Sequence, residues 1–173
     1  MIRHVYLDTE FLRADLTIRG LVSLALTDDD GCDYYAINYA MDDKSVHDDD
    51  WMRENVWPYL PHTDGGHFDY DHADVYPWQT IRDQIATYFA NTTADTTYLY
   101  ARNGAQDVVR LHGLWDHNWG VMPVQIPRWF IDIHHLIEQA GNPAGIPEME
   151  SGAHHPLEDA RHNRTVRQFL AAR

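Results

Sequence analysis

Along this 173-residue chain, hydrophobic and polar positions fall into blocks whose period changes at punctuating residues. Residues 2–8, "IRHVYLD", are β-formers closing on a carboxylate, and residues 21–27, "LVSLALT", are a second apolar run of strand length. "DDDG" at 28–31 supplies turn residues before "DYYAINY" at 33–39, so the first three strands predict an antiparallel meander. Residues 48–60, "DDDWMRENVWPYL", open on aspartates suited to a helix N-terminus and stop at Pro58 and Pro61, which predicts one short helix. Residues 61–77 mix Pro, Gly, His and Asp without a period and form the longest loop. After Pro77, the residues Trp78, Ile81, Ile85, Tyr88 and Phe89 recur at helical spacing over 77–91. A strand at 96–101 ("TTYLYA") and a helix at 105–115 ("AQDVVRLHGLW") follow. A short strand runs into a helix within 124–141, and a last helix spans 156–170 with Pro156 in its first turn.

No repeat or linker interrupts the series, so residues 1–173 read as a single domain. Three strands followed by alternating helices and strands predict an α/β fold. Its mixed sheet has three antiparallel strands, then parallel ones, and is flanked by helices. In such sheets, chemistry gathers at the carboxyl ends of the central strands.

Composition narrows the function classes. Hydrophobic residues make up 44%, enough for a core. No apolar stretch reaches the roughly 20 residues of a bilayer span, and "MIRHVYLD" lacks a signal-peptide pattern, so a soluble, cytoplasmic protein without a membrane partner is expected. Cys32 is the single cysteine, which excludes an intrachain disulfide and a thiolate-rich zinc site. In its acidic turn it reads as a small residue at a strand start rather than a nucleophile. The formal charge is −14 and Lys44 is the only lysine. That balance argues against salt-driven binding to long nucleic acid, but not against a nuclease whose metal ions neutralise its site.

The candidate chemistry lies in three places. Asp8 and Glu10, in "YLDTEF", are two apart, so a strand turns both to one side. Two such carboxylates suit Mg²⁺ or Mn²⁺, although solvated acid pairs at strand ends are common. Asp107 lies in the first turns of the 105–115 helix, after the tight Asn103-Gly104 connection. There it is either a site acid or an ordinary acid favoured by the helix dipole. His154 and Asp159 lie in "HHPLEDARHN", on the approach to the last helix and on it, in a chain with 12 histidines. A fourth feature, the loop "HTDGGHFDYDHAD" at 62–74, spaces His62, His67 and His72 by five. It reads as a mobile loop near substrate or a partner rather than as a zinc site.

Together the three acidic segments resemble the DEDDh family of 3′→5′ exonucleases, which have the ribonuclease H-like fold. Asp8-Thr9-Glu10 matches its first motif, Asn103 and Asp107 in "NGAQD" its second, and His154, Leu157, Asp159 and Ala160 in "HHPLEDA" its third, in family order. "YLDTEF", "GAQDVVRLHGLW" and "IPRWF" further resemble the actinobacterial polyadenylate-specific 3′-exoribonucleases, which are homodimers. The resemblance implies metal-dependent 3′→5′ hydrolysis of single-stranded RNA, with a leaning to adenylate-rich strands. It implies two Mg²⁺ ions, replaceable by Mn²⁺, on Asp8, Glu10, Asp107 and Asp159, with His154 as general base. His155 is the rival base, at the spacing of the tyrosine in the related DEDDy branch, but Leu157 and Ala160 favour the register of His154. Thr9, Phe11, Arg102 and Asn103 are the expected substrate contacts, and Arg128, Arg161 and Arg164 further candidates for phosphate. Pro156, Arg102 and Gln106 depart from the family's usual residues, which bears on substrate choice more than on chemistry. The rival functions are a DNA 3′→5′ exonuclease, a catalytically silent nucleic-acid-binding module and a His-rich zinc protein.

Overall fold

The computed structural model describes residues 1–149 and 154–173. Strands β1 (Ile2–Phe11), β2 (Leu21–Asp28) and β3 (Tyr34–Asn38) form the antiparallel meander. Helices α1 (Asp43–Asp48) and α2 (Asp50–Asn55), a 3₁₀ turn at Trp57–Tyr59 and strand β4 (Val75–Tyr76) come next. The rest alternates: α3 (Trp78–Ala90), β5 (Thr96–Ala101), α4 (Ala105–Gly113), β6 (Ile131–Asp132), α5 (Ile133–Gln139) and α6 (Pro156–Ala171). The sheet order is β4-β3-β2-β1-β5-β6, with β5 parallel to β1 and β6 parallel to β5. The mixed sheet is as expected, and β4 adds a parallel partner to β3 that its two-residue length concealed.

Two boundaries differ from the sequence expectation. β1 runs on to Phe11, so Asp8 and Glu10 sit inside a paired strand, opposite Ala25 and Ser23 of β2. The single helix expected at 48–60 is two helices and a 3₁₀ turn. Asp49 is extended (φ −77°, ψ 120°), and its carboxylate accepts from the Met52 amide at 3.0 Å, which caps α2 while ending α1. An aspartate run provides a cap wherever the chain turns, so its helix start is ambiguous from sequence.

Period-two alternation divides the core. Val5 and Leu7 of β1 pack with Leu99, Ile81, Ile85, Phe89, Val108 and Leu111, under α3 and α4. Tyr6 packs on the other face with Tyr100, Ile133, Ile137, Ala160 and Val166, under α5 and α6. Asp8 and Glu10 share the parity of Tyr6, so strand geometry aims them at α6. The 61–77 loop is anchored rather than free: Phe68 is buried beside Met52, Val56 and Leu60, and His62 bridges Phe68 through the backbone.

Gly20 and Gly104 both stand where a side chain would clash, and Gly104 is the one beside the site. A Cβ added at Gly104 would lie 2.1 Å from the Ala101 Cβ, at the turn from β5 into α4. Gly104→Ala therefore displaces the start of α4, which carries Asp107. Overpacking of this kind costs about 1–3 kcal/mol. A melting-temperature drop of about 5 °C, measured by calorimetry, is expected.

Candidate active site

β1 and β5 pair from Ile2–Thr96 to Tyr6–Tyr100 and then part, while β1 continues against β2 alone. The parting opens a cleft of about 330 Å³ at the carboxyl ends of both strands. Asp8 and Glu10 line it from β1, Asp107 from α4, Asp159 from α6 and His154 from the residues before α6. All five acid and base candidates thus meet in one place, although they span most of the chain.

The acids enter from two sides. Asp8, Glu10 and Asp159 each present an oxygen within 4.8 Å of the others, the one such metal-holding group among the described residues. Asp107 stands apart from that trio and reaches the cleft from the α4 face. Its Oδ1 accepts from the Thr9 amide at 3.0 Å and the Thr9 hydroxyl at 2.6 Å. Thr9, expected as a substrate contact, is buried and here holds Asp107 across the gap between β1 and α4. The opposed parity of positions 9 and 8 makes this possible: Thr9 turns towards α4 while Asp8 turns towards α6.

Gathering these acids raises their affinity for protons. Burial, then the charges of Asp107, Asp159 and Glu10, pushes Asp8 well above the usual carboxylate range. Burial and the neighbouring Asp159 and Asp107 raise Glu10 to about 8. Burial raises Asp107 to about 6, against the two Thr9 hydrogen bonds. Burial also raises Asp159, opposed by the His154 amide, the His154 ring and Arg102. Oxygen donors alone, in mutual repulsion, fit a hard divalent cation.

The sign of the pH effect follows from these directions. A carboxyl whose folded-state pKa is raised adds stability below its unfolded value, 4.5 for Glu10, and loses it as pH rises through about 8. Metal-free protein should therefore melt progressively lower between pH 5 and about 8. A divalent cation, which needs the ionised acids, should restore the melting temperature by an increment that grows over the same window. Thermal scans with Mg²⁺, Mn²⁺ or EDTA check this; an increment that does not change with pH contradicts it.

His154 and His155 occupy different environments. His154 lines the cleft in the left-handed region (φ 68°), and its amide donates to Asp159 Oδ2 at 2.8 Å. Left-handed backbone at a non-glycine residue is unfavourable and persists where surrounding contacts hold it. The edge of its ring meets Trp51 at a centroid distance of 4.9 Å, and Arg13 lies 5.2 Å from the centre of Trp51. His155 turns away, against Tyr35 (4.7 Å) and Tyr59 (6.2 Å), and burial lowers its pKa.

Phe11, Arg102 and Asn103 also line the cleft. Phe11 has the Arg110 guanidinium 4.8 Å from its ring centre. Arg110 is buried and donates to the Leu12 and Asp15 carbonyls, fixing the chain where it leaves β1. Asn103 sits at φ 53°, which Asn tolerates, and its amide donates to Asp132 Oδ1 at 3.1 Å. Arg161 and Arg164 are engaged elsewhere: Arg161 pairs with Asp33 and Glu158, and Arg164 donates to Thr27 and the Asp28 carbonyl. The loop histidines do not converge into a metal-holding group among the described residues; His62 packs on Trp57 instead.

Three further residues belong to the site. His162 and the buried Asn163 line the cleft from α6, three and four positions after Asp159, a spacing that does mark a shared helix face. Trp51, against His154, had no local signal, because α2 reaches the site only through the tertiary fold.

No protein-family model matches the chain. Curated proteins named 3′-5′ exoribonuclease, from two strains of Mycobacterium tuberculosis, are 30% identical over 162 residues, covering 92% of this chain and 87% of theirs. Among solved structures, exonuclease I superposes on 100% of this chain with a TM-score of 0.62 at 14% identity. E. coli exonuclease I in complex with a dA13 oligonucleotide does so with a TM-score of 0.60 at 13% identity. This chain spans about two-fifths of those longer chains, 41% in each case. At that identity, the likeness describes the fold.

Proposed function

The chain belongs to the DEDDh family of 3′→5′ exonucleases, and from that premise we propose that it is a metal-dependent exoribonuclease that shortens single-stranded RNA from its 3′ end. The observation carrying this is the convergence of Asp8, Glu10, Asp107, Asp159 and His154 on one cleft. Asp8, Glu10 and Asp159 would hold divalent cations as a trio, with Asp107 completing the set from the α4 side. We assign two Mg²⁺ ions, replaceable by Mn²⁺. Held there, such cations would supply Lewis acidity and offset the negative charge of the phosphodiester.

The chain's own groups do the rest. The His154 ring accepts the proton of the attacking water, a task suited to an imidazole near neutral pH. The Asp159 carboxylate holds the His154 amide and so sets where that ring stands. Thr9 keeps Asp107 aligned, and Arg102 is the guanidinium placed to meet a phosphate. Phe11, steadied by Arg110, offers an aromatic wall for the terminal base, and Asn103 shapes the turn beside it. The family resemblance further implies a cytoplasmic homodimer with a leaning to adenylate-rich RNA.

Four 5′-labelled RNA homopolymers and the matching DNA strands, incubated with Mg²⁺, test the substrate class. Faster loss of poly(A) than of the other RNAs and of DNA supports the proposal in full. Faster loss of DNA than of every RNA replaces it with a DNA exonuclease.

A further inference from the structure

Beside the cleft lies a second cavity, of about 560 Å³, with a different character. Ala105, Val108, His112, Trp119, Arg128 and Trp129 are among its walls, and among the described residues none that lines it is acidic. In a chain with 27 Asp and Glu and a formal charge of −14, a wall of aromatics, two histidines and an arginine is a local reversal. Trp119 and Trp129 stay 49% and 54% exposed, so about half of each indole remains available.

The platform is held in place. The Trp119 indole N–H donates to His112 Nδ1 at 3.3 Å, and His112 Nε2 lies 3.0 Å from the Pro127 carbonyl. His112 is buried, and these two contacts set one tautomer, with the proton on Nε2. Arg128 lies 5.7 Å from the Trp119 ring centre and donates to the Trp119 carbonyl at 3.2 Å. Trp129 meets Tyr98 edge-on at 5.6 Å. The cavity also adjoins the cleft: Ala105 lines it, while Asn103 and Asp107, each two residues away, line the cleft. Two residues of chain span at most about 7 Å.

We propose that this cavity is an upstream RNA subsite, where bases beyond the scissile linkage stack on Trp119 and Trp129 while Arg128 meets a phosphate. Aromatic faces with a nearby guanidinium are the physical means of holding single strands without reading sequence. The subsite rests on the exoribonuclease function and extends it, since it gives longer strands an advantage over a dinucleotide, whose two nucleosides only straddle the scissile bond.

The test compares kcat/KM for a dinucleotide and a longer single-stranded oligoadenylate in the full chain, Trp129→Ala, Trp129→Phe and Arg128→Ala, with the oligomeric state of each measured by light scattering. Trp129→Ala should lower the ratio of the two constants about tenfold, through KM of the longer strand, and Trp129→Phe should recover most of it. Arg128→Ala should reduce the salt dependence of binding the longer strand by about one ion. An unchanged ratio in Trp129→Ala overturns the subsite. So does a loss that appears only as a change of oligomeric state, which would make the surface a contact with a second copy of this chain. If the unmodified protein cuts neither substrate, the exoribonuclease function itself fails, a result distinct from both.

Discussion

Asp8→Asn should abolish RNA shortening, by about 10⁴-fold or more, and yet raise the melting temperature of the metal-free protein at pH 8. Loss on that scale is expected for one member of a set that works as a unit. The gain in stability comes from the same geometry. Asp8 is raised by burial and by Asp107, Asp159 and Glu10, so its ionised form opposes the fold. Asparagine keeps the shape and removes the charge, and Glu10 loses a like-charged neighbour on the same strand face. Calorimetry in EDTA and a turnover assay in Mg²⁺ read the two effects separately. A variant that is inactive and also less stable without metal would mean that Asp8 is a structural acid with a favourable partner, contrary to the repulsive cluster described above.

The second large effect separates two adjacent histidines. His154→Ala should lower kcat by about 10² to 10⁴, the range of a general base, with little change in KM. His155→Ala should leave kcat within a few-fold and lower the melting temperature, because its ring packs against Tyr35 and Tyr59. The inverse pattern would move the base to His155. His154→Ala also leaves the edge of Trp51 without its partner, so its fold should be checked by circular dichroism before the rates are compared.

Local rules made part of this site legible, and the family resemblance supplied Asp107, His154 and Asp159, which local pattern alone left open. Period two alone put Asp8 and Glu10 on one side of β1, and the spacing of Ile81, Ile85 and Phe89 placed α3 correctly. Pro156 marked the first turn of α6, where it stands at the helix start. What stayed hidden depended on tertiary neighbours. No pattern indicates that Asp107 approaches from the opposite face and is held by Thr9, because that pairing joins residues 98 positions apart. The break at Asp49 was concealed by three consecutive aspartates, each able to cap a helix. Trp51 and Arg110 read as ordinary helix residues, and only the folded chain sets one against His154 and the other against Phe11. Arg161 and Arg164 show the converse: charges suited to phosphate by type are engaged by Asp33, Glu158 and the end of β2.

The most direct test of the central claim follows one 5′-labelled single-stranded RNA over time, with Mg²⁺ or Mn²⁺ and with EDTA. A ladder that shortens from the 3′ end, requires the divalent ion and is absent with Asp8→Asn is the predicted result. An intact strand under every condition, or internal cuts that persist in EDTA, would contradict a carboxylate-held, metal-dependent exonuclease.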